Sequence, residues 1–260
     1  MLRATIANEH GINGVGIMSM GKDNRMLLIG TFDFKKDIIK NQYHNGNKYS
    51  FNNRRFKTNL GIGVELSRST LLILSGGYQT SHVNGNPDEK SDQKIRFPYF
   101  EASVTQDNRD SIMFPTKGTY FKAEYTTSNS KNADFNALYV KGEVNIPLGK
   151  NFTLTPSAVY VTSRGDKVPE TYKPKAGGFQ EDVYSLEFAG LPTDKMRANS
   201  IFIGKLNFQY QISRFFFAGA NASVASFSDK SFSFGKERKE SYGLGFGVRT
   251  PLGPGYIGVA

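Results

Sequence analysis

The stretch Asn59-Leu60-Gly61-Ile62-Gly63-Val64-Glu65-Leu66 alternates apolar and polar or glycine residues without a break. Successive side chains on a strand point to opposite faces. Leu60, Ile62, Val64 and Leu66 therefore share one face, and Asn59, Gly61, Gly63 and Glu65 the other. Near the end, Ser241-Tyr242-Gly243-Leu244-Gly245-Phe246-Gly247-Val248-Arg249 repeats the pattern, with Tyr242, Leu244, Phe246 and Val248 together. Between them, Leu206, Phe208, Tyr210 and Ile212 oppose Lys205, Asn207, Gln209 and Gln211; Leu138, Val140, Val144 and Ile146 oppose Tyr139, Lys141, Glu143 and Asn145. Alternation of this kind builds either a soluble sandwich or a barrel set in lipid, and by itself leaves both open.

Strands are expected near 2–8, 12–20, 26–36, 47–66, 70–83, 93–107, 117–128, 133–148, 151–164, 199–213, 215–228, 240–250 and 254–260. Their connections favour the barrel. Short links at Gly21–Arg25, Ser67–Ser69, Leu148–Lys150, Ser213-Arg214 and Thr250–Pro254 mostly alternate with longer polar ones at Asp37–Gly46, Asn84–Asp92, Gly165–Ala198 and Asp229–Lys239. Tight turns at one strand end and loops at the other are the asymmetry of an outer-membrane barrel. Nine or ten residues tilted by ~45° cross its ~25 Å apolar band. The second face carries Glu65, Glu101, Lys122, Glu124, Lys141, Glu143, Lys205 and Arg249, a composition that suits a wet lumen.

No apolar run reaches the ~18 residues of a transmembrane helix, a test that does not bear on barrels. The 13 Tyr and 21 Phe supply aromatic girdles, and the absence of Cys removes disulfides and thiolate metal sites. A formal charge of +10 points to anionic surroundings, and its scatter over loops and inward positions fits lipid headgroups and lipopolysaccharide phosphates, not nucleic acid. Leu2–Ala7 already reads as a strand with no signal peptide before it, so residues 1–260 are expected to be a segment of a longer protein.

Two segments go further. Asp107-Asn108-Arg109-Asp110-Ser111-Ile112-Met113-Phe114-Pro115-Thr116-Lys117-Gly118 is turn chemistry, with Pro115 fixing φ and Gly118 free to take a positive one. It resembles the D-x-R-D…P-T-x-G turn of the bacterial surface antigen superfamily, outer-membrane barrels that assemble or secrete other proteins. Gly245-Phe246-Gly247-Val248-Arg249-Thr250-Pro251-Leu252-Gly253-Pro254 is similar to that family's G-x-G-x-x-T-P-x-G-P hairpin. Within the superfamily, the spacing and Phe-rich strands look most like the translocator barrel of patatin-like phospholipase autotransporters (type Vd secretion). The resemblance implies an all-β, transmembrane antiparallel β-barrel of a sixteen-stranded family. Here it would be an incomplete barrel of about thirteen strands, one C-terminal outer-membrane domain over 1–260 truncated at both ends, with a long loop folding into the lumen. Aligned on that loop, the first strand here corresponds to the family's third, and Tyr256–Ala260 begins its fifteenth.

The family's loop carries a Val/Ile-Arg-Gly-Phe/Tyr tip whose Arg meets an acid on the thirteenth strand. Phe188-Ala189-Gly190 is the nearest match here, with Phe188 and Gly190 as the candidate tip. Ala189 stands for the Arg, Gly219–Ser223 offers no acid, and Arg197 lies off register. Losing both charges leaves neither buried alone. The implied partners are outer-membrane lipid and lipopolysaccharide, an upstream passenger and the barrel assembly machinery. The implied role is export or display of that passenger through a polar lumen. An outer-membrane assembly factor is the alternative, followed by a passive pore or adhesin and a soluble β-sandwich binding module.

Enzymatic residues are not expected in this segment. Ser19 and Ser75 lack the first glycine of a Gly-x-Ser-x-Gly elbow, having Ile17 and Ile73 there. His10, His44 and His82 have no metal-ligand spacing, and the glycines around Gly243 suit close packing, not a phosphate cradle. No cofactor is implied.

Overall fold

The computed structural model describes residues 2–7, 11–20, 25–44, 47–84, 93–112, 114–178, 183–191, 196–230, 237–250 and 253–260. These form β1 (Leu2–Ala7), β2 (Gly11–Met20), β3 (Met26–His44), β4 (Asn47–Ser67), β5 (Thr70–Asn84), β6 (Gln93–Asp107), β7 (Gly118–Ser130), β8 (Ala133–Pro147) and β9 (Phe152–Arg164). A 3-10 turn (Glu170–Tyr172) and the short β10 (Lys175–Ala176), β11 (Ser185–Leu186) and β12 (Met196–Arg197) follow, then β13 (Ser200–Gln211), β14 (Phe216–Ser228), β15 (Glu237–Thr250) and β16 (Gly253–Val259). The thirteen long strands hydrogen-bond in chain order, β9 pairing with β13 across the excursion that holds β10–β12. This antiparallel meander is the expected all-β fold. Among the described residues the order begins at β1 and ends at β16, so the sheet is not closed.

Residue contacts divide the chain into two compact units: Met1–Ser103, Tyr125–Asn136 and Gly165–Pro169; and Val104–Glu124, Ala137–Arg164 and Glu170–Ala260. In the first, one face is polar: Arg55 pairs with Asp33 at 2.7 Å and Lys57 with Glu101 at 2.8 Å. Tyr99 is buried on this face, its hydroxyl donating to the Thr58 carbonyl at 3.1 Å and Lys57 lying 4.7 Å from its ring centroid. A glycine makes room for it: a Cβ at Gly77 would fall 2.4 Å from the Tyr99 oxygen. The opposite face exposes Phe32, Phe34, Phe56, Leu60, Ile62, Leu74 and Tyr78.

In the second unit the registers Leu206↔Ala222↔Tyr242, Phe208↔Ala220↔Leu244 and Tyr210↔Ala218↔Phe246 align the apolar residues in rows. Leu244 and Phe246 are each 63% exposed and Phe208 45%. A contiguous apolar surface of this extent marks contact with another apolar phase. On the other face Lys205↔Ser223↔Ser241 and Asn207↔Asn221↔Gly243 form the polar rows.

One expected link is a strand. Asp37–Gly46 reads from sequence as a long polar connection, yet β3 continues to His44 and pairs with β4 from Asp37↔Asn53 to His44↔Asn47, with a shift between Ile39 and Gln42. Nineteen residues of β3 reach ~65 Å at ~3.4 Å each, well past a ~25 Å apolar band. Beyond the band no solvent difference separates the two faces, so backbone pairing continues without the alternation that would announce it. Residues 8–10, 85–92 and 231–236, where other turns and links are expected, lie outside the described residues.

The exposed rows generate a direct expectation. Nitroxide labels replacing Phe208 and Leu244, in the full-length protein reconstituted into phospholipid vesicles, should be relaxed by oxygen far more than by a water-soluble nickel chelate. Labels replacing Asn207 and Gly243 should show the reverse, and equal aqueous accessibility on both faces would overturn the assignment.

Candidate functional site: a wedged turn and a seated loop

The turn between β6 and β7 is held by its own polar residues. Arg109 grips the Asp107 carboxylate with both Nε, at 2.9 Å, and Nη2, at 2.8 Å. Its Nη1 reaches Glu143 on β8 at 3.3 Å, and its guanidinium lies 4.5 Å from the Tyr120 ring centroid. Glu143 accepts from Asn145 Nδ2 at 3.1 Å, and Asn145 Oδ1 accepts from Thr155 on β9 at 2.8 Å. Asp110 accepts from the Thr116 amide at 2.8 Å, the Lys117 amide at 3.3 Å and the Thr116 hydroxyl. Burial alone would raise the Asp110 carboxyl, but these donors outweigh it and hold the group below its ordinary value. Gly118 has φ +101°, and a Cβ there would come 2.5 Å from the Asn108 carbonyl. The turn requires glycine at that position.

This turn reaches the second motif. Phe114 is buried and stacks on Phe217 of β14, ring centroids 4.2 Å apart and planes 4° from parallel. It occupies the space beside Gly247, where a Cβ would lie 2.4 Å from the Phe114 ring. Arg249 lies 5.2 Å from the Phe217 centroid and 5.9 Å from that of Phe114. Gln209 approaches the Pro115 carbonyl at 3.5 Å. Gly245 plays the same part for Tyr256 of β16, whose hydroxyl would be 2.1 Å from an added Cβ. The hairpin pairs Arg249↔Pro254 and Thr250↔Gly253; Pro251 lies outside the described residues.

The excursion after β9 is a small folded body. β10 pairs parallel with β11 and antiparallel with β12, and a bridge joins Gly178 to Phe188. Glu170, its carboxylate largely buried, meets Lys173 at 3.1 Å, Lys175 at 3.8 Å and the Arg197 guanidinium. Burial would raise this carboxyl, but Lys175, Arg197 and Lys173 together hold it below its ordinary value. Arg197 therefore ties the base of the loop together. Phe188 is fully buried, with Ala176 and Leu186, against Tyr139, Val161, Ile201, Ile203, Ala225 and Phe227 on the polar side of the sheet. Burying a Phe side chain contributes roughly 1.5–3 kcal/mol. At the tip Ser241 Oγ donates to the Ala189 carbonyl at 2.7 Å, Glu187 meets Lys205 at 3.0 Å, and Gly190 turns the chain with φ +82°.

Sequence reading places Asp107, Arg109, Asp110, Pro115, Thr116 and Gly118 in one turn, where they are found, and misses that Phe114 carries that turn to Gly247. Alternating Gly245 and Gly247 signal that something fills the space; nothing in the sequence names the ring. Glu143, Glu170, Glu187 and Ser241 are missed too, because each has a partner 18 or more residues away, respectively Arg109, Arg197, Lys205 and Ala189.

Comparison with known proteins bears on the fold that carries this site. The Omp85 superfamily domain matches residues 20–260. BamA from Haemophilus ducreyi, in a structure lacking POTRA domains 1–3, superposes with a TM-score of 0.75 at 13% identity, covering 99% of this chain and 59% of that one. CdiB from Escherichia coli gives 0.60 at 13%, covering 97% and 49%. The chain thus spans about half to three-fifths of the length of these structures. No curated protein matches the sequence.

Two outcomes follow from the geometry. Gly247→Ala should destabilise the full-length barrel by roughly 1–3 kcal/mol, as overpacking does, yet be close to neutral beside Phe114→Ala. The temperature at which the folded gel band disappears reports both. Because Glu170 is depressed, its contribution is complete above the ordinary Glu range near ~4.3 and is lost as pH falls through its lower folded value. Hydrogen exchange over 170–191 should therefore accelerate on acidification, and Glu170→Gln should abolish that pH step.

Proposed function

This chain belongs to the Omp85 superfamily of outer-membrane β-barrels, and we propose that it is a translocator barrel which helps export or display a passenger domain. The observation that carries this reading is the loop tip seated on the polar face while the opposite face exposes rows of Leu, Phe and Tyr. A polar lumen closed by a displaceable loop is what passage of a chain requires, and an apolar exterior matches hydrocarbon. The passenger is a patatin-like phospholipase encoded upstream, and the chemistry resides there. Within this segment Asp107, Arg109, Asp110, Pro115, Thr116 and Gly118 brace the turn; Gly245, Gly247, Thr250, Gly253 and Pro254 belong to the hairpin whose Gly247 receives Phe114; Phe188 and Gly190 form the loop tip. Lipid, lipopolysaccharide and the barrel assembly machinery are its surroundings in the bacterial outer membrane, with strands of the closed barrel lying beyond the segment described.

Deleting residues 165–198 from the full-length protein should raise single-channel conductance in planar bilayers severalfold and impair surface exposure of the passenger. Unchanged conductance would remove the plug. Intact passenger display with failed insertion of other outer-membrane proteins would replace export with barrel assembly as the function.

A further inference from the structure

We propose that Glu187 and Lys205 form a charge latch that governs whether the loop tip remains on the polar face; this rests on the reading of the loop as the plug. Glu187 Oε2 lies 3.0 Å from Lys205 Nζ, with side chains 28% and 21% exposed. The neighbouring anchors are uncharged: Phe188 in its apolar seat and the Ala189 carbonyl on Ser241. Those two hold the tip through short-range contact. The ion pair joins a loop side chain to a strand side chain by charge, and it does so at the wall of a cavity.

That cavity, about 180 Å³, is lined by Lys141, Glu143, Ser157, Glu187, Lys205 and Asn207. It is large enough for several waters. A partly exposed pair beside it can exchange its partner for water or for another charge without displacing a strand. The cavity also holds a substitute of either sign, since Lys141 and Glu143 of β8 share it with the latch. Glu143 is already engaged by Arg109 of the turn, so the turn and the loop seat meet through one carboxylate-lined wall. The acid is on the loop and the base on β13. This gives the tip an electrostatic hold although position 189 is Ala and no acid faces it from Gly219–Ser223. Such a latch opens when either charge is competed away, whereas an apolar seat alone would open only by unfolding the tip.

Residues 1–260 contain no cysteine, so Ala189→Cys, with any cysteine outside this segment replaced by Ser, provides a single thiol reporter at a buried tip position. In the full-length protein, labelling of that thiol by a water-soluble maleimide should be slow. Glu187→Lys and Lys205→Glu should each accelerate it about tenfold, and the double exchange should return it to within about threefold of the parent, the signature of a direct pair. A heat-shifted gel band establishes folding for each variant; if a reversal fails to fold, Glu187→Gln and Lys205→Met take its place, with a smaller acceleration expected. Unaltered labelling in both single variants, or a double variant as fast as the faster single, overturns the latch. Should the loop deletion raise conductance while labelling ignores these charges, the plug stands and the latch falls. Should labelling follow the charges while the deletion leaves conductance unchanged, the latch stands as a loop anchor and the plug reading falls.

Discussion

A strand side chain has two faces to choose from, and a slip of one residue in register would exchange them throughout the sheet. Everything in this protein hangs on that constraint. The ladder Leu206↔Ala222↔Tyr242 keeps apolar residues on one side, and Lys205↔Ser223↔Ser241 keeps polar ones on the other. Only with this register does Lys205 reach Glu187, and only with it does Ser241 meet the loop carbonyl. The same choice of face sends Phe208, Leu244 and Phe246 outward, where they would be a liability in water and are stabilising in hydrocarbon.

Pairing alone would leave a polar face with gaps. Small residues and large rings fill it in complementary fashion: Tyr99 against Gly77, Tyr256 against Gly245, Phe114 against Gly247. In each case an absent Cβ gives an aromatic ring direct access to the backbone sheet, and the ring supplies the contact area that glycine lacks. The Phe114 wedge does more, since it joins a turn to strands far from it in sequence. It therefore couples the geometry of Asp107–Gly118 to that of β14 and β15.

The loop is held by three interactions of different character. Apolar burial of Phe188 favours docking without specifying orientation, the Ser241–Ala189 hydrogen bond sets register, and the Glu187–Lys205 pair adds a contact that solvent and other charges can contest. Its base is a different matter. Glu170 sits buried among Lys173, Lys175 and Arg197, and removing those cations would strand a buried charge. A firm base with a contestable tip is the arrangement expected of a segment that moves without unfolding.

Period-two alternation determined the thirteen strands, their faces and the turn residues, because each of these is a local consequence of backbone geometry. Glycine and proline marked Gly118 and the Thr250–Gly253 hairpin for the same reason. The alternation could not reveal Asp37–His44 as strand, since outside an apolar band both faces meet one solvent. Nor could it show that Phe114 lies over Gly247, that Glu143 answers Arg109, or that the loop carries its acid to Lys205. Those partners are 133, 34 and 18 positions apart in the chain respectively, and only the folded sheet brings them within reach.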